Sequence, residues 1–188
     1  MGLLVRALKL LIVLFLVAAV VLWFAARRGD RGYISEQVTI NRPATTVYRW
    51  ITTDELLRRW ISNLAKLERI PASGAASQSN FVYRIDEMIA KRPVAIKARI
   101  VRAIPNQELK LSVRSANEAA DGFNGDAELK LLPNGDYTQL IFTLQTNFQS
   151  LSDQIFEPIL TYATRKKLEE DLTRLKFMIE AESGAQSH

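Results

Sequence analysis

The sequence predicts an α+β chain: an N-terminal transmembrane helix, then a curved antiparallel sheet of about seven strands with two short helices and a long C-terminal helix. Three observations lead there. Leu10 to Ala26 (LLIVLFLVAAVVLWFAA) is a run of 17 apolar residues without a charge. Between Tyr33 and Thr146 apolar and polar residues alternate in short runs separated by turn residues, the signature of half-buried strands. From Pro158 to Ala181 the apolar residues recur at helical spacing instead.

An α-helix rises about 1.5 Å per residue, so the apolar run can just cross a hydrocarbon core of about 30 Å. Its reach lengthens if Leu3 to Leu8 join and the heads of Arg6 and Lys9 snorkel to the headgroups. Trp23 suits an interfacial anchor. A removable signal peptide would need small residues at −1 and −3 of the cleavage site. Cutting after Ala26 or Ala25 puts Phe24 or Trp23 at −3, and cutting after Ala19 leaves a very short apolar core. The expectation is an uncleaved, single-pass anchor. Basic residues flank it on both sides (Arg6 and Lys9, then Arg27, Arg28 and Arg31), so charge leaves the side of the following domain open.

Composition removes several function classes. The chain carries a formal charge of +5, but beyond Arg31 basic and acidic residues number 20 and 19. The basic excess therefore belongs to the membrane flanks, and no nucleic-acid partner is expected. There is no cysteine, which excludes disulfides, thiolate nucleophiles and cysteine metal sites. The single histidine is His188, the last residue, so a histidine base, a Ser-His-Asp triad or a histidine metal site inside the fold has no donor. No phosphate loop, metal-ligand spacing or nucleophile elbow is present. No cofactor, no metal and no catalytic set are expected. The organisation follows as residues 1–31 for anchor and basic flanks, 32–182 for one folded domain and 183–188 for a polar tail.

Each element has its own justification. Tyr33 to Ile40 alternates, with Ile34, Val38 and Ile40 on one face and Glu36 as a charged exception among them. Asn41-Arg42-Pro43 breaks that strand, and Pro43 suits the first position of a helix carrying Val47, Trp50 and Ile51. Thr53 or Asp54 can cap a second helix with Leu56, Leu57, Trp60, Ile61 and Leu64 as its apolar stripe. Leu67 to Ile70 is a short strand, and Pro71 to Ser77 a loop of small residues. Phe81, Tyr83 and Ile85 alternate, then Val94, Ile96, Ala98 and Ile100, then Leu109, Leu111 and Val113, then Phe123, Ala127, Leu129 and Leu131. Asn134-Gly135 is the strongest hairpin signal, because a two-residue turn demands positive φ. Tyr137 to Thr146 closes the series, with Leu140, Phe142 and Leu144 on one face. In the last segment Pro158 should kink the helix or begin it afresh. Its stripe is Ile159, Leu160, Ala163, Leu168, Leu172, Leu175 and Ile179, with Lys166–Glu170, Lys167–Asp171 and Glu170–Arg174 as i,i+4 pairs on the wet side.

Strands joined by short turns form an antiparallel meander. A meander of this size curls, and only the C-terminal helix is long enough to cover its concave face. The first strand must then pair at an edge. In such an arrangement sheet and helix diverge, and a cavity can open between them.

This order resembles the START-like superfamily, also called SRPBCC or helix-grip, which includes polyketide cyclase-like and lipid-transfer proteins. The matching opening reads VTINRPATTVYRWITTDELLRRW, through Ile40, Pro43, Val47, Tyr48, Asp54 and Trp60, and LTRLKFMIE from Leu172 to Glu180 is similar to the closing helix. The resemblance runs from about Tyr33 to Ala181. It implies a cavity for an apolar or amphipathic ligand and no fixed catalytic set. With the anchor it implies a bacterial inner-membrane protein whose partners are the lipid bilayer and an apolar small molecule.

The pocket-lining candidates are the inward-phased residues Phe81, Tyr83, Ile85, Ile96, Ile100, Leu111, Phe123, Leu140, Phe142 and Leu160, with Leu109, Val113 and Leu129 beside them. Ordinary core packing is the competing reading for each. Glu36 could be a pocket carboxylate, but pairing with an arginine accounts for it more simply. Arg102, in phase with Ile96 and Ile100, could grip an acidic headgroup or end in solvent. Asp86–Glu87 and Asp126/Glu128 read as surface charge. Trp50 and Trp60 read as packing anchors, and Tyr137 and Gln139 as outer-face residues. The leading expectation is membrane-tethered binding of a hydrophobic or lipid-like molecule. The alternatives are a cyclase- or aromatase-like enzyme, disfavoured by the missing histidine, and a non-catalytic membrane-tethered interaction module.

Overall fold

The computed structural model describes residues 15–16, 32–71, 81–89, 92–116, 122–148 and 151–182. The chain divides into two compact units, Met1–Arg31 and Gly32–His188, and the second holds all seven strands. The expected anchor lies outside the described residues apart from Phe15 and Leu16, and so does the polar tail. Among the described residues no helix is long and apolar enough to cross a membrane.

The second unit opens with β1 (Tyr33–Ile40), α1 (Ala44–Thr52) and α2 (Asp54–Trp60). Six strands follow: β2 (Leu64–Pro71), β3 (Phe81–Ile89), β4 (Arg92–Ile104), β5 (Glu108–Ser115), β6 (Phe123–Asn134) and β7 (Tyr137–Phe148). The chain ends in α3 (Leu151–Glu182). The strands make one seven-stranded antiparallel sheet in the order β1-β7-β6-β5-β4-β3-β2. Five consecutive hairpins build β2 to β7, and β1 adds to the far edge through Tyr33↔Gln145 to Ile40↔Thr138. The helices α1 and α2 carry the chain from that edge to the opposite one.

Local chemistry explains where elements begin and end. Pro43 stands just before α1 rather than inside it, with φ −60° and ψ 151°. The Thr53 side chain makes no capping bond at α2, and Asp54 and Glu55 place their negative charge in its first turn instead. The second helix is shorter than its apolar stripe suggested: Ile61 and Leu64 lie beyond it, and Leu64 opens β2. Asn63 ends the turn with a left-handed φ of 55°, a conformation asparagine tolerates better than most residues. The β6–β7 turn falls one residue later than Asn134-Gly135. Asn134 pairs with Tyr137, so Gly135 and Asp136 form the turn. Gly135 takes φ 61° at its first position, which marks the mirror type II′ geometry.

Pro158 neither starts nor ends a helix: α3 is one element of 32 residues with the proline inside it. Its length is about 48 Å at helical rise. Its C-terminal half is fastened. Leu168, Leu172, Leu175 and Ile179 bury against Ile34, Ile40, Leu131 and Leu140 of the sheet and Val47, Trp50 and Ile51 of α1. Each such side chain contributes roughly 1.5–3 kcal/mol when fully removed from water. Polar clips hold the same end. Trp50 Nε1 donates to Glu182 Oε2 at 2.9 Å, Asn41 N–H to Glu180 Oε1 at 2.8 Å, and Arg42 to the Glu180 carbonyl at 2.7 Å. The N-terminal half packs less: Ile159, assigned to the buried stripe from its spacing, is exposed, as are Phe156 and Tyr162.

Candidate functional site

Where α3 parts from the sheet, a cavity of about 400 Å³ opens between them, partly open to the outside. That volume lies in the range of small-molecule sites. Its walls follow from strand alternation. Every second residue of β3, β4, β5, β6 and β7 points at α3, and small residues on that face leave room. Ala98 and Ala127 stand where neighbouring positions carry Tyr83, Val113, Leu111 and Leu144. Gly125 lies between Phe123 and Ala127, and a Cβ there would stand 2.0 Å from the Gln145 carbonyl oxygen. Ile51, Leu57, Trp60 and Ile61 of α1, α2 and the turn after it close one side, and Leu160, Thr161, Thr164, Lys167, Leu168 and Asp171 of α3 close another.

Eight of the ten pocket candidates line this space: Tyr83, Ile85, Ile96, Ile100, Leu111, Phe123, Phe142 and Leu160. Leu109, Val113 and Leu129 line it too. Leu140 does not. It is sealed in the core with Leu175 and Ile179, because β7 at that position lies under the fastened half of α3. Phe81 begins β3, and its side chain is outside the described ones. Phe123 and its cross-strand neighbour Phe148 stand 6.3 Å apart, tilted at 53°.

The polar candidates sort differently. Glu36 meets Arg165 at 3.5 Å. Arg102 is not in phase with Ile100: a bulge between them turns its side chain outward, where it lies half-exposed and 3.6 Å from Glu108. Trp50 is buried outside the cavity lining, whereas Trp60 is both buried and part of the cavity wall. Tyr137 is exposed, and Gln139 donates to Gln37 on the outer face.

Two polar groupings were not anticipated. Asp54, at the start of α2, accepts from the Tyr83 hydroxyl at 3.0 Å and clamps Arg69 through both oxygens at 2.7 Å. Burial and the Asp54 carboxylate hold the Tyr83 phenol above its ordinary pKa, so it stays a neutral donor.

The second grouping corrects two expectations. Lys167 and Asp171 are an i,i+4 pair at 2.6 Å, but they face the cavity and not water. Glu87, read as surface charge, continues the inward phase of Tyr83 and Ile85 and lies 3.0 Å from Lys167 Nζ. Asp171 Oδ1 also accepts the Ser62 N–H at 2.8 Å. The three side chains are only 11%, 13% and 5% exposed for Glu87, Lys167 and Asp171. Burial alone would lower the Lys167 pKa, but the Glu87 charge and the Asp171 hydrogen bond outweigh it, and the net direction is upward. Lys167 is therefore an ammonium and no nucleophile. Among the described residues no set of His, Asp or Glu side chains could hold a metal ion.

Solved structures share this architecture. A protein of Thermus thermophilus superposes with TM-score 0.60 at 18% identity, covering 80% of this chain and 99% of its own. An aromatase/cyclase, Zhui, of Streptomyces sp. R1128 does so with TM-score 0.64 at 15% identity, covering 79% and 93%. A START superfamily protein of Mycobacterium smegmatis gives TM-score 0.60 at 15% identity, covering 79% and 97%. At these identities the likeness shows the fold alone. No curated protein matches the chain. Residues 32–180, nearly the whole of the folded unit, match the family described as polyketide cyclase / dehydrase and lipid transport, and the chain belongs to that family.

Proposed function

We propose that the domain binds a hydrophobic or amphipathic small molecule between the sheet and the Leu160 to Asp171 stretch of α3. The observation that carries this reading is the cavity itself: about 400 Å³, walled mainly by aliphatic and aromatic side chains, with its charged groups gathered at one place. A largely apolar space of that size adds nothing to stability, since each unfilled volume forfeits packing. Organic extraction and mass spectrometry of the purified full chain test it. An apolar molecule recovered in stoichiometric amount supports the reading; a chain with no extractable molecule and no affinity for alkyl probes refutes it.

The reading extends to a tether. Leu10 to Ala26 forms a single-pass anchor in a bacterial inner membrane, and the bilayer is the partner from which the ligand partitions. Tethering would raise the effective concentration of the cavity beside that source. Retention in carbonate-washed membranes, lost when residues 1–31 are deleted, tests the tether. A topology-reporter fusion assigns the side.

A second reading, an acid–base enzyme of the cyclase kind, draws on Lys167 and Glu87 converging on one cavity wall. It requires one of them to exchange a proton near neutral pH. The upward direction at Lys167 works against that.

A further inference from the structure

The charged patch in the cavity wall is unbalanced. Asp171 has both oxygens engaged, Oδ1 by the Ser62 N–H at 2.8 Å and Oδ2 by Lys167 Nζ at 2.6 Å. Lys167 also reaches Glu87 Oε2 at 3.0 Å. One ammonium thus faces two carboxylates, a net charge of −1 in a largely apolar enclosure where Coulomb interactions are weakly screened. Among the described residues no donor reaches the other Glu87 oxygen, while a lysine ammonium carries three N–H groups and two are used here. An acceptor in search of a donor and a donor in search of an acceptor therefore stand side by side.

Resting on the cavity reading, we infer that the ligand's polar end is an uncharged or cationic hydrogen-bond donor, a hydroxyl or an amine, placed against Glu87 and Lys167, and that a carboxylate or phosphate head is rejected. A hydroxyl satisfies both groups at once, donating to Glu87 and accepting from Lys167. An ammonium neutralises the surplus charge. An anionic head gains one N–H from Lys167 but meets two carboxylates, and its own desolvation is uncompensated. Discrimination of this kind comes from the repelled group as much as from the bound one.

The test compares decanol, decylamine and decanoate, which share one tail and differ only in the head. Each is titrated at neutral pH, by calorimetry, into the full-length chain in zwitterionic nanodiscs, with empty nanodiscs as the blank. Decanol or decylamine should bind at least tenfold more tightly than decanoate. Glu87→Gln, which removes the surplus charge and keeps the shape, should shrink that ratio at least threefold. Decanoate binding as tightly as the other two would overturn the head-group assignment and leave the cavity reading intact. Failure of all three to bind would refute the cavity reading and this inference with it. The comparison on the unsubstituted chain stands whether or not the variant folds.

Discussion

Ala98 offers a test of whether the space beneath α3 is real. It sits near the middle of β4, opposite Tyr83 and Val113, with its methyl group in the cavity wall and almost no exposure to solvent. Ala98→Leu adds three carbons there. If they enter empty apolar volume, burial contributes about 0.8 kcal/mol for each, or about 2.4 kcal/mol in all. Fixing the leucine rotamer costs about 0.5–1 kcal/mol, which leaves a gain of roughly 1–2 kcal/mol. If the region were packed to ordinary density, the same carbons would cost about 1–3 kcal/mol in displaced neighbours. The two cases differ in sign, so a modest measurement separates them. Urea unfolding of full chain and variant should show the midpoint rising with the m-value unchanged, while affinity for alkyl probes falls. A lowered midpoint would refute the cavity and, with it, the binding function built on it.

Other expectations follow from the same geometry. Lys167→Met leaves Glu87 and Asp171 facing each other with no cation, at a cost of about 3 kcal/mol or more; thermal unfolding should show a fall of about 6–12 °C for a domain of this size, and a fall under about 2 °C would mean the cluster is solvated. The folded state holds the Lys167 proton more tightly than the unfolded chain does, so this stabilisation is complete below the ordinary lysine value of 10.5 and is lost as pH rises past it. Tyr83, raised by burial and by Asp54, acts in the same direction above its ordinary 10.0. Unfolding midpoints should therefore drop through this alkaline window, and less so in Lys167→Met. Gly125→Ala pushes a methyl group to within 2.0 Å of a backbone oxygen of β7, which only a shift of the β6–β7 pairing can relieve; roughly 1–3 kcal/mol of destabilisation should appear in a denaturation curve, and an unaffected variant would show that the strands are freer to part there than the close approach implies.

Much of this architecture was legible in the residues. Alternation in β3, β5, β6 and β7 assigned faces correctly, and so placed Tyr83, Leu111, Phe123 and Phe142 toward α3. Alternation fails where a bulge changes the count, and Arg102 is such a case: the residue skipped at Val101 is invisible in a pattern of apolar and polar letters. Leu140 shows another limit. Its phase was right, but whether an inward residue meets a packed helix or an open space depends on how α3 leans, which is a tertiary property. The charged cluster was within reach of the sequence and was missed. Glu87 continues the inward count of Tyr83 and Ile85, and Lys167 and Asp171 fall three residues after Thr164 and four before Leu175, in the midst of the apolar stripe. Reading every i,i+4 ion pair as a solvated one concealed them. Pro158 lies in the third turn of α3, where it forfeits a backbone hydrogen bond, yet the helix runs on through it, so the fresh start expected there is not seen.

The pairing of β1 with β7 joins residues about a hundred positions apart, Ile40 with Thr138 at its nearest. At ribosomal rates of about 5–20 residues per second, the first strand waits roughly 5–20 s for its neighbour to be made. During that interval it has no ladder to join, and once β7 emerges, that strand's outer edge stays bare until the oldest part of the domain returns to cover it. The β1–β7 pairing thus joins the first strand made to the last one, and whatever holds the beginning of the domain in place meanwhile shortens the search.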